Sequence, residues 1–260
     1  MKVTALHIYP VKSMRGYAVQ AAKVTHQGLA GDRQWMVADE NGRFRSAREC
    51  PQMLLWRPQV SATGLDLVAP DGQTHSANAA NYQERCDVSV WNDHFHAWAG
   101  PSETDAWLSE KMGLPCRLIY LGAQSSRPLA QTNEGYSFAD GGPYLITTQA
   151  SLDALNAQLA VPVTMEHFRP NIVVDGIAAF GEDNWNLIRV GALEWTGYKP
   201  CRRCPITTMD PETGEKSPEQ EPLQTLTRIH SMQGPGAYFG VNFFAHSEGM
   251  VHVGDAVQLL

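Results

Sequence analysis

Two cysteines three positions apart, Cys201 and Cys204, are the side chains of this sequence best suited to chemistry. They lie in residues 199–208, KPCRRCPITT, with Arg202 and Arg203 between them and a proline on either side. The prolines disfavour helix and stiffen the segment. The neighbouring cations favour the thiolate, the form that attacks an electrophile or ligates a metal. The segment therefore predicts a stiff, electropositive loop suited to soft-metal or sulfur chemistry. Two buried structural cysteines on a basic surface loop explain the same residues equally well.

The other three cysteines, Cys50, Cys86 and Cys116, are scattered along the chain. Together with Cys201 and Cys204 they make five cysteines, and an odd, scattered number without an export signal argues against a disulfide framework. Structural zinc and iron–sulfur sites usually need four ligands at regular spacing, and the sequence has a single Cys-x-x-Cys pair. We therefore expect Cys201 and Cys204 to act without a four-cysteine cluster.

Cations suited to an anionic ligand lie in other parts of the sequence. Lys12, Ser13 and Arg15 follow the first predicted strand, and Asp32-Arg33 precedes another. Lysine as a point charge, arginine as a planar fork and a hydroxyl group can together hold an oxyanion such as phosphate. A solvated strand end is the alternative, and these residues taken alone favour it.

The composition is that of a folded protein with an acidic overall charge. Of 260 residues, 43% are hydrophobic and 18% are charged, which excludes global disorder. The formal net charge of −7 argues against general nucleic-acid binding. The sequence has neither an apolar stretch long enough to cross a membrane nor the layout of an export signal. We therefore expect a cytoplasmic protein whose partners include neither nucleic acid nor a membrane.

Short apolar runs separated by turn signals predict a mainly β, α+β fold. Polar residues 124–134 are the best candidate for a domain connection or a mobile loop. Two similar stretches, 188–195 and 251–259, are predicted as strands that each bend at a central glycine. The other principal predicted strands are 3–9, 34–38, 54–60, 65–69, 85–91, 94–99, 117–121 and 172–174.

Three helices are predicted between these strands. The first covers 102–112, with Ser102 as its N-cap and Gly113 as its end. The second follows the capping residue Thr148 and has apolar residues at 152, 155 and 159. The third is a short helix over 221–229 with a proline near its first turn.

Several stretches, in this order, resemble the MOSC family, named for the C-terminal domain of molybdenum cofactor sulfurase, preceded by a MOSC N-terminal β-barrel domain. They are YPVKS at 9–13, DR at 32–33, FRPNIV at 168–173, CxxCxxTTxDPxTG at 201–214, and FGxN at 239–242 followed by VGD at 253–255. The resemblance covers nearly the whole chain and is closest to the branch that reduces amidoximes and other N-hydroxylated compounds. It implies a small N-terminal β-barrel-like domain over 1–122 and a MOSC β-barrel with a few short helices over 123–260.

The resemblance also implies a molybdenum cofactor, with one molybdenum held by the dithiolene of a molybdopterin and by a single protein cysteine. By position, that metal-ligating and catalytic cysteine is Cys204, and Cys201 is a neighbouring thiol without a metal role. The positions that match or adjoin cofactor-contacting residues of the family are Lys12, Ser13, Arg33, Asp140, Gly141, Gly142, Arg169, Arg202, Arg203 and Asn242.

The activity implied by the resemblance is reduction of small N-hydroxylated substrates such as amidoximes or hydroxylamino bases. Many bacterial relatives carry a 2Fe–2S domain, for which this sequence lacks the cysteines. The resemblance therefore implies a separate electron-donor protein of the flavin, cytochrome or ferredoxin type. Two alternatives stay open: a carrier that binds molybdenum cofactor or sulfur without reductase activity, and a thiol–disulfide enzyme that uses both cysteines.

Overall fold

The structure of this protein is a computed structural model that describes residues 1–132, 134–232 and 236–260. The predicted mainly β, α+β fold is confirmed. The described strands are β1 (Lys2–Ile8), β2 (Tyr17–Val19), β3 (Ala21–Thr25), β4 (Gly28–Leu29), β5 (Trp35–Ala38), β6 (Gln59–Ser61), β7 (Gly64–Val68), β8 (Thr74–Asn78), β9 (Glu84–Val90), β10 (Asp93–Ala99), β11 (Arg117–Tyr120), β12 (Tyr144–Thr148), β13 (Ile172–Asp175), β14 (Leu187–Val190), β15 (Leu193–Arg202), β16 (Tyr238–Ala245), β17 (Gly249–His252) and β18 (Val257–Leu259). The described α-helices are α1 (Ser102–Met112), α2 (Gln149–Asn156) and α3 (Leu223–Ile229).

The largest sheet has eight strands in the order β18-β14-β15-β16-β12-β13-β1-β2. β12 and β13 are parallel, and the other neighbouring pairs are antiparallel. Tyr144, Trp195 and Phe243 are fully buried in the core of this sheet. Because β1 and β2 pair beside β13, the segment between them is placed next to strands from the second half of the chain.

Residues 35–121 contribute two smaller sheets, β5-β11-β10-β9 and β6-β7-β8. The core between them includes the buried Trp35 and Trp56. Ile206 and Met209, which follow the two cysteines in sequence, belong to the same core. The cysteine segment is therefore held between the eight-stranded sheet and this N-terminal unit. A third small sheet, β17-β3-β4, also joins strands from the two ends of the chain.

The helix predictions hold with small errors at the ends. Helix α1 has the predicted bounds and ends at Gly113, whose φ of 69° is the left-handed conformation that suits glycine. Pro101 is its N-cap, so the assignment of that role to Ser102 was wrong. Thr148 caps α2 through its side chain as predicted, although α2 ends before residue 159. Among the described residues, no helix is long and apolar enough to cross a membrane.

The predicted strand over 54–60 is wrong for its first half. A 3-10 helix covers Pro51–Leu55, and only the short β6 follows it. Met53 and Leu54 are buried, and a short apolar run of this kind does not distinguish a buried helical turn from a strand. Strand β8 was not predicted, because its residues THSAN are mostly polar and form no apolar run.

The two similar stretches at 188–195 and 251–259 are not strands that bend at a glycine. Gly191, with φ of 59°, lies in the turn between β14 and β15, which pair with each other. Gly254, with φ of 97°, lies in the turn between β17 and β18. Glycine adopts these left-handed angles at little cost, so each glycine lies in a turn between two strands and not at a mid-strand bend.

The cysteine segment is also only partly a loop, because β15 continues to Arg202. The pairing of β15 with β16 shifts register on either side of Pro200, which has no backbone N–H to donate. After Cys204 the chain forms a 3-10 turn over Pro205–Thr208. The first cysteine therefore lies in a strand, and the second caps the turn that follows it.

The predicted connection over 124–134 is tied to both of its neighbours by one arginine. The buried Arg127 donates to the Asp93 carboxylate at 2.8 Å and to the carbonyl oxygen of Ser137 at 3.0 Å. Asn133, in the same segment, lies outside the described residues. The division of the chain at residue 122 stays a prediction.

Candidate functional site

One cavity of about 280 Å³ is lined by the turn after β1, the segment before β12, the turn before β13, the end of β15 and its following turn, and β16. The structure brings every predicted site residue to its wall. These residues are Lys12, Ser13, Arg33, Asp140, Gly141, Gly142, Arg169, Arg202, Arg203, Cys204 and Asn242. Their roles toward a cofactor stay predictions, but their convergence is a property of the fold.

Backbone hydrogen bonds explain why Lys12 and Arg33 meet. The Lys12 N–H donates to the Trp35 carbonyl oxygen at 2.9 Å, and the Arg33 N–H donates to that of Tyr9 at 2.7 Å. The Phe138 N–H in turn donates to the Arg33 carbonyl oxygen at 2.9 Å. Three segments that are distant in sequence are thereby aligned along one side of the cavity.

Lys12 is a buried, positively charged residue on this side of the cavity. Its side chain is buried, its Nζ donates to the Phe138 carbonyl oxygen at 2.8 Å, and it forms an ion pair with Asp140. Burial lowers the pKa of Lys12 to about 8, although Asp140 acts in the opposite direction. Loss of solvation by itself would raise the pKa of Asp140, but the charge and hydrogen bond of Lys12 hold that pKa well below its usual range. Both groups are therefore charged at neutral pH.

Three predicted site residues have left-handed backbone conformations that favour glycine. Their φ angles are 68° at Ser13, 46° at Arg33 and 55° at Arg169. Each such conformation costs a residue with a side chain roughly 1–2 kcal/mol. Strain of this kind concentrates at functional sites, where the surrounding structure holds side chains in positions that a relaxed backbone would not give them.

Both terminal nitrogens of the Arg33 guanidinium donate hydrogen bonds to the protein. The guanidinium donates to both carboxylate oxygens of Asp32, at 2.8 and 2.9 Å, and to the carbonyl oxygen of Arg169 at 3.0 Å. Its Cζ lies 4.3 Å from the centroid of the Tyr9 ring. Arg33 therefore mainly positions Arg169 and the Tyr9 segment.

Arg169 has hydrogen-bonding capacity left over. Within the described residues its Nη2 is buried and has no hydrogen-bond partner. Burial lowers the pKa of Arg169 to about 10, and the positive charge of Arg33 adds to that shift. A buried donor without an acceptor is costly, and an anion in the cavity that Arg169 lines would remove the cost.

Both cysteines line the cavity, but their contacts differ. Arg203 donates to the Cys201 sulfur at 2.8 Å and to the Phe168 carbonyl oxygen at 2.7 Å. Its Nε is buried and, among the residues that the structure describes, unpaired. Cys204 is half-buried and lines the cavity at the start of the 3-10 turn, while Arg202 is exposed at the end of β15. Arg203 thus holds Cys201, whereas Arg202 is exposed at the cavity wall.

Gly141 and Gly142 allow a close approach of two side chains to the cavity wall. The Tyr198 hydroxyl donates to the Gly141 carbonyl oxygen at 2.6 Å. A Cβ at position 141 would lie 2.7 Å from the Asn242 amide oxygen. Asn242 is buried on β16 and donates to the Lys199 carbonyl oxygen at 3.2 Å. The glycines therefore fit a tightly packed wall that larger residues would displace.

Gly142→Ala is expected to lower the free energy of unfolding by about 1–3 kcal/mol, the usual cost of overpacking. The new Cβ would lie 1.9 Å from the Tyr198 hydroxyl oxygen, which its hydrogen bond to Gly141 holds in place. Urea unfolding of the purified variant measures the loss. Gly142→Ala combined with Tyr198→Phe should recover part of it, because the colliding atom is gone. An alanine variant as stable as wild type contradicts this packing.

The cavity wall also contains residues that the sequence did not single out, notably Trp91 and Asn171, and it contains Lys199, which was noted only as a cation near the thiols. Asn171 lies inside a stretch that had been noted for its neighbours. Trp91 lies at the tip of the β9–β10 hairpin, where the predicted strands ended. The hairpin was visible in the sequence, but its distance from the cysteines was not.

These features define a class of protein: a two-part β protein with a thiol- and cation-lined cavity between its parts. The chain belongs to the MOSC family. It matches the MOSC N-terminal beta barrel domain over residues 1–115 and the MOSC domain over residues 133–258. The resemblance found in the sequence motifs is thereby confirmed.

Curated relatives match nearly the full chain. The chain is 31% identical to mitochondrial amidoxime-reducing component 1 of Mus musculus, covering 99% of this chain and 82% of that protein. Identity and coverage are the same for mitochondrial amidoxime-reducing component 1 of Homo sapiens. It is 30% identical to molybdenum cofactor sulfurase of Drosophila mojavensis, covering 92% of this chain and 31% of that longer protein.

Proposed function

We propose that this protein is an oxidoreductase that holds a molybdenum cofactor in the cavity and reduces N-hydroxylated compounds such as amidoximes. The observation that carries the proposal is the convergence of the Cys204 thiol with Lys12 and Arg169 on one cavity wall. The names of the two amidoxime-reducing relatives support the same reaction.

The chemistry of the wall fits an anionic cofactor with a soft metal ligand site. In the part of the chain that the structure describes, Arg169 Nη2 and Arg203 Nε are buried donors without acceptors. A phosphate or other oxyanion supplies such acceptors. A cysteine thiolate suits molybdenum in the same way that soft ligands suit other thiophilic metals. The cavity thus offers hydrogen-bond donors for the anionic part of the cofactor and a thiolate ligand for its metal.

Different residues would bind the metal and the anionic part of the cofactor. Cys204 would be the protein ligand of molybdenum, and Lys12, Ser13 and Arg169 would hold the negative charge of the pterin phosphate. When bound, the cofactor supplies the two-electron exchange that converts R–NHOH, two electrons and two protons into R–NH₂ and water. The electrons would come from a separate protein of the flavin, cytochrome or ferredoxin type. Arg33 would act by positioning Arg169.

The proposed reaction is tested with protein produced in cells that make the cofactor. We expect bound molybdenum by elemental analysis and formation of benzamidine from benzamidoxime with reduced methyl viologen as electron donor. Protein from a strain that cannot make the cofactor is the control and should be inactive. Molybdenum-loaded protein that forms no benzamidine contradicts the reductase proposal.

A second candidate function is a carrier that holds the cofactor or its sulfur without reducing a substrate. The similarity to molybdenum cofactor sulfurase of Drosophila mojavensis supports it. A carrier would contain molybdenum, fail to reduce benzamidoxime and release the cofactor to a cofactor-free acceptor enzyme. Transfer without reduction favours the carrier, and reduction without transfer favours the reductase.

Anion affinity is expected to fall about tenfold between pH 7 and pH 9, because Lys12 loses its proton over that range. Burial lowers the pKa of Lys12 to about 8 in the protein without an anion, and only the protonated form attracts one. Titration calorimetry of cofactor-free protein with sulfate, whose charge does not change in this range, measures the effect. Lys12→Arg stays protonated and should lose the dependence. A wild-type affinity that is constant from pH 7 to pH 9 contradicts the assignment.

A further inference from the structure

Trp91 has a backbone conformation that is unusual for a large residue. It lies in the turn between β9 and β10, where Val90 pairs with Asp93, and its φ is 58°. Glycine adopts this conformation freely and asparagine tolerates it, whereas a bulky side chain makes it strained. The turn itself would therefore favour a smaller residue, and the presence of tryptophan points to a use for its side chain.

The Trp91 ring is fixed on three sides. Its indole N–H donates to the Asp140 carboxylate at 2.9 Å, and Asp140 is also the ion-pair partner of Lys12. The guanidinium carbon of Arg48 lies over the ring at 4.0 Å from its centroid, and the Phe44 ring lies at 5.3 Å. These contacts hold the tip of the N-terminal hairpin in a defined position at the cavity.

This fixed ring keeps much of its surface open. Trp91 is 47% exposed and lines the cavity, whereas Trp35, Trp56 and Trp195 are buried. Arg48 and Phe44 cover part of the ring, and the exposed remainder lies at the cavity. A large apolar surface that is rigid and open loses little conformational entropy when a ligand covers it.

We propose that Trp91, supported by Arg48, is a stacking platform that makes this site selective for planar, conjugated substrates. This inference rests on the proposed reductase function and names the substrate class of the same cavity. Flat ligands gain from offset stacking on an aromatic ring, and small aliphatic ligands cannot. Aryl amidoximes should therefore bind more tightly than aliphatic amidoximes.

The test compares Trp91→Leu, which removes the ring, with Trp91→Phe, which keeps a ring but loses the hydrogen bond to Asp140. Trp98→Ala is the matched control, because Trp98 is on the same hairpin, is 36% exposed and does not line the cavity. Molybdenum-loaded proteins are assayed with benzamidoxime and acetamidoxime. The dissociation constants of the products benzamidine and acetamidine are measured by calorimetry, which needs no turnover.

For Trp91→Leu we expect KM for benzamidoxime and the dissociation constant of benzamidine to rise roughly fivefold to tenfold. The values for the acetyl compounds and the molybdenum content should stay near wild type. Trp91→Phe should retain most of the aryl preference, and Trp98→Ala should behave as wild type.

Equal changes for aryl and aliphatic ligands overturn the platform. Loss of molybdenum from both Trp91 variants also overturns it, because the ring would then cover the cofactor and not the substrate. If wild type reduces neither amidoxime but Trp91→Leu still weakens benzamidine binding selectively, the reductase function fails and the platform stands. If Trp91→Leu does not fold, loss of the aryl preference in the folded Trp91→Phe variant overturns the proposal and its retention supports it.

Discussion

Cys204→Ala is expected to lower the molybdenum bound per protein about tenfold or more, because changes even in residues that only orient a metal ligand cost about 10–100-fold in affinity. Cys204 lines the cavity at the start of the 3-10 turn, and in the proposed site it is the one protein ligand of the metal. Elemental analysis of protein from cofactor-producing cells measures the molybdenum content. Amidoxime reduction should fall at least in proportion.

Cys201→Ala is the matched control for this prediction. The Cys201 sulfur is bound by Arg203, so its loss is expected to leave most of the molybdenum in place. The thiol–disulfide hypothesis makes the opposite prediction, because both cysteines would then be needed equally. Equal molybdenum contents in Cys204→Ala and wild type would exclude Cys204 as the metal ligand.

Lys12→Met is expected to weaken sulfate binding about tenfold or more at pH 7. The substitution replaces the Lys12–Asp140 ion pair, whose net charge is zero, by an unpaired Asp140 carboxylate in the cavity wall. The Asp140 carboxylate would then repel any anion in the cavity. The free energy of unfolding should fall by about 1–3 kcal/mol, less than for a fully buried pair, because solvent reaches the Asp140 side chain. Calorimetry and urea unfolding measure the two effects.

The double variant Lys12→Met, Asp140→Asn separates charge from packing. Removal of the unpaired carboxylate should restore most of the stability, because both members of the pair are then neutral. Anion affinity should recover only in part, since the cation is still missing. A Lys12→Met variant that binds sulfate as tightly as wild type would show that Lys12 does not face the anion.

The candidate site could be predicted largely because its chemistry is carried by residue type and motif spacing. Lys12, Arg33, Arg169 and Cys204 were all identified from the sequence, and the fold brings them to one cavity. The hydrogen bonds that each of these side chains makes could not be predicted. Both terminal nitrogens of Arg33 donate to neighbouring residues, whereas Arg169 keeps a buried donor free in the described structure, and only the positions of acceptors distinguish them.

The errors in the predicted fold come from local patterns with two structural solutions. A short apolar run such as residues 53–56 can be a strand or a helical turn, and here Pro51 begins a turn. Glycine within an alternating stretch can mark a bend or a reversal, and Gly191 marks a reversal. Local periodicity resolves neither ambiguity, because the same pattern fits both conformations.

The cysteine segment shows where the two sources of information divide. The amino-acid sequence by itself determined the family and the mainly β fold, because ordered motifs and apolar patterns are local properties. The candidate roles of Cys204 and the cations are what the resemblance to that family implies. Only the tertiary structure decided that Arg203 binds Cys201, that Lys12 pairs with Asp140, and that Trp91 reaches the same cavity. The physical reason is that these contacts join segments far apart in sequence: β1 pairs with β13, and the β9–β10 hairpin contacts the segment before β12. Which residues meet in such contacts depends on the packing of the whole molecule.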